Sequence, residues 1–132
     1  MSLNLLHDSE DEIHCAMHHG VLNAKILTEI VNLSEQLFSK APNQDYVYQL
    51  NRRVSALTLI ARNNADNIIG YKLGYAMSQD VFYSWLGGIH PAYRKRGIAS
   101  LLIQTQHEWC AKNGFRLIRT KTLQSNAIMY EL

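Results

Sequence analysis

Cysteine and proline are scarce, with two of each in 132 residues. Cys15 and Cys110 lie far apart and make no disulfide framework, so the chain is expected in a reducing, cytoplasmic setting with two ordinary thiols. Pro42 and Pro91 are isolated, and no Pro- or Gly-rich linker, internal repeat or low-complexity tract divides the chain. One domain over residues 1–132 is the expectation. No apolar run approaches the ~20 residues needed to cross a bilayer. The first residues, Met1-Ser2-Leu3-Asn4-Leu5-Leu6-His7-Asp8, lack the cationic start and apolar stretch of a secretory signal. With 47% hydrophobic and 18% charged residues, the chain can form a packed core, which argues against disorder.

Charge of one sign is also lacking overall, at a net +2. Its distribution is uneven. Residues 1–45 hold two cations against seven anions, a net of −5, whereas residues 91–132 hold seven cations against two anions, a net of +5. Three of those cations are consecutive, Arg94, Lys95 and Arg96. This knot suits a small polyanion and is too compact for a surface that coats nucleic acid.

Residues 3–7 are predicted as a short strand. From Glu10 to Ser39 the spacing of Ile26, Ile30, Leu33 and Leu37 predicts helix, divided in two at Gly20. Asp45 is placed as the cap of a short helix to Arg53. Val54–Arg62 and Ile68–Met77, separated by Asn63-Asn64-Ala65-Asp66-Asn67, predict a hairpin, with Gly70 and Gly74 marking a bulge or a close backbone approach. Val81–His90 is a third strand. Pro91 ends it, Gly97 opens a helix carrying Ile98, Leu101, Leu102, Thr105 and Trp109, and Gly114 stops that helix. Phe115–Leu123 is the next strand, and Ser125-Asn126 is expected to cap a final helix that Leu132 cuts short. Antiparallel strands thus lead into one strand–helix–strand unit.

The chemistry concentrates in Ile89-His90-Pro91-Ala92-Tyr93-Arg94-Lys95-Arg96-Gly97-Ile98-Ala99-Ser100. The first amides of a helix have no internal partners, and the macrodipole adds positive potential there. Gly97 and Ala99 carry almost no bulk, so a diphosphate can approach the backbone. No Gly-Lys-Ser/Thr follows, and the three-glycine dinucleotide spacing is missing.

Arg94-x-x-Gly97-x-Ala99, after a strand ending Ile89-His90-Pro91 and before an amphipathic helix, resembles the Gln/Arg-x-x-Gly-x-Gly/Ala signature of the GNAT superfamily of N-acetyltransferases. The resemblance covers residues 54–132 most closely. It implies an α/β fold with a mixed, mostly antiparallel central sheet flanked by helices, here C-terminally truncated. It implies acetyl-CoA as cosubstrate and transfer of the acetyl group to a primary amine by direct attack. By the same resemblance the diphosphate falls to Arg94, Lys95, Arg96, Gly97, Ile98 and Ala99, with Ser100 next along the helix. The backbone of Ile89 and its neighbours His90 and Pro91 falls beside the pantetheine arm, and Asn126 near it.

Two departures stand out. The strand glutamate of many members falls at Tyr83, and Val81–Ala92 holds no carboxylate, so Tyr83 is the one candidate here for routing a proton through water. The later Asn-x-x-Ala-x-x-Leu-Tyr motif aligns on Asn126, Met129 and Leu132, its tyrosine falling past the last residue; Tyr130 does not take that role. The chain is then either a fragment or completed by a partner across an unpaired edge near Phe115–Leu123, from which a homo-oligomer, at least a dimer, is expected.

Other groups have plainer readings. His14, Cys15, His18 and His19 form a polar helix face, and no metal is expected. His90 suits capping or packing more than proton relay. Phe82, Trp85, Trp109 and Phe115 are core candidates ahead of an aromatic cage, and Tyr46, Tyr48, Arg52 and Arg53 an ordinary face ahead of an acceptor wall. Cys110 carries no mark of an activated thiolate. The function expected is a cytoplasmic N-acetyltransferase acting on a small-molecule or peptide amine, with no nucleic-acid or membrane partner; the acidic N-terminal region favours a cationic acceptor. The alternative is a catalytically impaired acyl-CoA-binding regulatory module.

Overall fold

The computed structural model describes residues 3–7, 12–37, 56–121 and 127–132, with side chains for 12–37, 56–120 and 131–132. The expected helix at Asp45–Arg53, with Tyr46 and Tyr48, lies outside these residues, as do Ser125 and Asn126. The elements in order are β1 (Leu3–His7), β2 (Glu12–His19), α1 (Ala24–Leu37), β3 (Leu57–Arg62), β4 (Ile68–Ala76), β5 (Val81–Ile89), a 3₁₀ turn (Pro91–Tyr93), α2 (Ile98–Lys112), β6 (Leu117–Lys121) and β7 (Ala127–Glu131). The strands form one seven-stranded sheet in sequence order. Every neighbouring pair is antiparallel except β5 and β6, which the α2 crossover makes parallel.

Among the described residues, α1 and α2 cover opposite faces. Ile26, Leu27, Ile30 and Leu33 of α1 pack with Ile60, Tyr71 and Leu73 on one side, and Ile98, Leu102 and Cys110 of α2 pack with Leu57, Leu59, Phe82 and Ile118 on the other. Phe82, Trp109 and Phe115 form a contiguous ring cluster under α2, with centroids 5.3 to 5.9 Å apart. Trp85 sits apart from them, against the α1 core. No described helix is long and apolar enough to cross a membrane.

The hairpin, the third strand and α2 lie where the sequence places them. Gly114 has φ +85°, and the amide of Phe115 donates to the carbonyl of Cys110 at 3.1 Å, the αL stop expected for the end of α2. Gly74 sits at the register shift between β4 and β5, where a Cβ would press on Phe82 and lie 2.7 Å from the Tyr83 carbonyl oxygen.

Two assignments are corrected. Residues 12–19 are strand β2, so helix begins only at Ala24. Ile13 and Cys15 are buried on alternate positions, and β2 finds partners on both sides in β1 and β3. A stretch of middling propensity goes where the ladder bonds are. The true helix start is Asn23, whose side-chain oxygen accepts from the Ile26 amide at 2.9 Å, an N-cap hidden in a longer helical reading. His14 and His18 therefore share a strand face about 13 Å apart, not one helix turn. Among the described residues, no three or more His, Cys, Asp or Glu side chains gather as a metal site.

The second correction is the C-terminal segment. Ala127–Glu131 is a strand antiparallel to β6, from Leu117↔Glu131 to Lys121↔Ala127, and not the start of a helix. An open β6 edge carries unpaired backbone groups, and the chain's own Ile-Met-Tyr stretch satisfies them. Tyr130 pairs in register with Ile118. The edge on which the expected oligomer rested is thus covered by β7.

Candidate active site

The site is organised by the loop from β5 into α2. The His90 amide donates to the Ile69 carbonyl at 2.7 Å, and its Nδ1 accepts from the Ala92 amide at 3.1 Å. His90 therefore caps the 3₁₀ turn, the role expected ahead of proton relay. Pro91 opens that turn with φ already set. Asn63 donates to the Tyr93 hydroxyl at 3.0 Å, Arg96 lies over the Tyr93 ring at 5.1 Å, and Arg94 Nε donates to the Ile89 carbonyl at 3.2 Å. Arg94 is thereby held by a neutral backbone partner and remains exposed.

Lys95, with φ +63°, and Gly97, with φ +81°, turn the chain into α2. Gly97 is the N-cap and makes no side-chain bond to the first turn, which also carries no acidic residue. A Cβ at Gly97 would meet nothing within 4 Å. Gly97, Ala99 and Ser100 are exposed, whereas Ile98 is buried and anchors the helix start. The result is an open, cationic helix start whose opening amides suit a diphosphate.

From this end a groove runs along the α2 face. β5 pairs with β6 only from Val81↔Leu117 to Ser84↔Thr120, so Trp85–Ile89 present an edge to no strand among the described residues. A cavity of 230 Å³ lies against Gly87, Gly88 and Ile89 and the α2 residues Ala99, Leu102 and Ile103. A second, of 190 Å³, lies at the fork and is lined by Lys72, Ser84, Ile103, His107, Ile118 and Thr120. An extended chain with amide groups fits beside such an edge by strand-like hydrogen bonding.

Lys72, Ser84 and His107 went unremarked in the sequence. Lys72 had a visible signal, as a lone charge inside the apolar Ile68–Ala76 strand. Burial draws its ammonium down from the ordinary lysine range. A Cβ at Gly87 would lie 3.2 Å from the Tyr71 carbonyl oxygen and in ordinary contact with the Lys72 side chain at 3.7 Å. Burial, and next the Lys72 charge, lower the His107 imidazole, which keeps it neutral near pH 7. A neutral imidazole beside an ammonium can accept one proton and stabilise negative charge in the same cavity.

Tyr83 is on the other face of the fork. Its ring meets Tyr75 edge-on at 5.4 Å, and Tyr75 meets Trp85 at 5.8 Å. Burial and the Tyr75 phenol raise the Tyr83 phenol, while the Arg119 charge opposes them. Tyr83 therefore enters as a neutral hydrogen-bonding group at neutral pH.

Comparison with known proteins agrees with this fold. No curated protein matches the chain. Among solved structures, the chain superimposes on AAC(6′)-Iy in complex with the bisubstrate analogue CoA-S-monomethyl-acetylneamine with a TM-score of 0.65 at 20% identity, covering 86% of this chain and 82% of that one. It superimposes on the GNAT family N-acetyltransferase YhbS from Escherichia coli in complex with CoA with a TM-score of 0.70 at 16% identity, covering 87% and 66%. An acetyltransferase of the GNAT family from Staphylococcus aureus Mu50 gives 0.70 at 15% identity, covering 83% and 75%. These likenesses establish the fold, and the sequence profile of the acetyltransferase (GNAT) family matches residues 25–132, so the chain belongs to that family of acetyl-CoA-dependent enzymes.

Proposed function

We propose that the protein is an N-acetyltransferase that holds acetyl-CoA in the groove between β5 and α2 and transfers the acetyl group to a primary amine. Acetyl-CoA supplies a thioester that a neutral amine attacks directly. The chain's task is to bind, orient and move protons. The opening amides of α2 with Arg94, Lys95 and Arg96 suit the diphosphate, and the free edge at Trp85–Ile89 suits the pantetheine amides. The Ile89 carbonyl is already taken by Arg94, so that residue contributes its amide and its apolar side chain. The fork at Ser84 and Thr120 then takes the reacting end, with Lys72 and His107 beside it. These two supply the polar chemistry that the missing strand carboxylate leaves open.

The observation that carries this reading is the end of β5–β6 pairing at Ser84↔Thr120, in the groove that leads to an uncapped, left-handed Gly97. Two neighbours of the same fold were solved with CoA or a CoA-derived bisubstrate analogue. A cytoplasmic setting is part of the proposal and is supported by two unpaired, buried cysteines.

Calorimetry with CoA tests the reading. The wild-type chain should bind CoA, and Arg94→Gln with Arg96→Gln should weaken it about tenfold or more, the scale of losing a charge-assisted hydrogen bond. Gly97→Val should weaken it similarly by putting bulk on the helix start that the diphosphate approaches. Absence of binding, or affinity indifferent to all three changes, defeats the proposal. Binding without acetyl-CoA consumption across an amine panel would leave an acyl-CoA-binding module.

A further inference from the structure

We propose that Arg119, together with the rings of Tyr75, Tyr83 and Trp85, forms the acceptor site and selects an amine that carries a carboxylate. This rests on the N-acetyltransferase reading and adds the chemical class of its acceptor.

The fork between β5 and β6 opens on both faces of the sheet. The α2 face holds the groove and both of its cavities. An acceptor that meets the reacting end without displacing the cofactor arm must come from the α1 face. Strand alternation decides what stands there. Phe82 and Ile118 belong to the core under α2, so their neighbours Tyr83 and Arg119 point the other way. These two are in direct register across the parallel pair, one position before its last. Tyr75 and Trp85 extend the strip, each partly buried against the α1 core.

Arg119 is the unusual member. It is half-buried, its Nε is out of contact with solvent, and that atom has no hydrogen-bond partner. No carboxylate pairs with it among the described residues. Glu29, the described carboxylate on the inner side of α1, is already bound to Arg62 at 2.9 Å. A guanidinium partly stripped of water and left without an anion is a costly arrangement unless a ligand completes it. Its planar fork of donors matches a carboxylate in two-point contact. Three edge-to-face rings beside it offer an apolar bed for the body of the ligand. A cationic acceptor without a carboxylate, which the acidic N-terminal region had favoured, would instead meet like charge at Arg119.

Matched acceptor pairs that differ only in the carboxylate test this: L-phenylalanine against phenethylamine, and L-tryptophan against tryptamine. The wild-type enzyme should favour the amino acid in kcat/KM by about tenfold to a hundredfold, the scale of one charged hydrogen-bonded contact. Arg119→Met should abolish that preference, Arg119→Lys should keep part of it, and CoA affinity should stay within about twofold in both, since neither change touches the α2 groove. Calorimetry with N-acetyl-L-phenylalanine against N-acetylphenethylamine gives the same comparison without turnover. The proposal is overturned if the decarboxylated partner is used or bound as well, or if Arg119→Met lowers both members equally. Loss of CoA binding by the wild-type chain would instead remove the acetyltransferase reading, and the product pair would still decide whether Arg119 holds a carboxylate.

Discussion

The hydroxyls of Tyr71 and Ser34 lie 2.6 Å apart in the core, joining β4 to α1 where each residue is 1% exposed. Ser34 donates its one proton to the Ile30 carbonyl at 2.8 Å, so Tyr71 is the donor between the two hydroxyls. The two partners are therefore not equivalent. Tyr71→Phe removes a donor and its bond together and should cost about 1 kcal/mol, whereas Ser34→Ala strands a buried phenol and should cost about 1–3 kcal/mol. Urea unfolding of the two variants side by side checks the order, and equal losses would contradict the assignment of donor and acceptor.

Gly74 is held by space. An added Cβ would press on the Phe82 ring and lie 2.7 Å from a backbone carbonyl that the ladder keeps in place. Gly74→Ala should lower stability by about 1–3 kcal/mol, as overpacking of a close-packed core does. The same substitution should raise CoA dissociation, because β5 would have to shift and carries the groove's free edge. Denaturant midpoints and calorimetry read the two effects separately.

Stability should fall as the solution is acidified through the histidine range. Burial lowers His18 and His107, with Arg62 and Lys72 respectively adding to the effect. Below their ordinary value near 6.5 the unfolded chain takes up protons that the folded chain still refuses. The unfolded state then binds more protons, so unfolding becomes easier as pH drops, until the folded histidines protonate as well. The urea midpoint should decrease from about pH 7.5 to about pH 5.5, with the pair His18→Gln and His107→Gln flattening that slope. An unchanged slope in the double variant would remove both histidines from the cause.

Neither cysteine should behave as a reactive thiol. Burial pushes Cys15 up to about 11 and Cys110 up to about 12. Both stay protonated at neutral pH, and the thiolate is the reactive form. Iodoacetamide at neutral pH should leave the native chain unlabelled, as read by intact mass, and should add two alkyl groups once urea unfolds it. Rapid labelling of the folded protein would contradict their placement.

The legible parts of the sequence were those where local chemistry leaves few choices. Asn63–Asn67 is turn chemistry between two β-branched runs, and the hairpin follows. Pro91 fixes its own φ and lacks an amide proton, and Gly97 takes a positive φ that few other residues accept, so strand end and helix start could be placed before any packing was known. The illegible parts were those where local preference is weak. His14-Cys15-Ala16-Met17 fits helix or strand, and the neighbours β1 and β3 settle it. Ala127–Glu131 is the same case: its strand exists because β6 offers an edge. The polar groups of the fork were hidden for a different reason. Lys72, His107 and Arg119 lie on three elements, and nothing in their spacing shows that they surround one gap.

The sequence by itself determined the family and the cationic, small-residue helix start, because a signature of backbone torsions and local charge is written in consecutive residues. Tertiary structure alone decided that residues 12–19 and 127–131 are strands, that the β6 edge is covered, and that Lys72 and His107 stand on one face of the fork while Tyr83 and Arg119 stand on the other. Those outcomes depend on hydrogen-bond partners and burial supplied by distant segments, and such energies have no local signature.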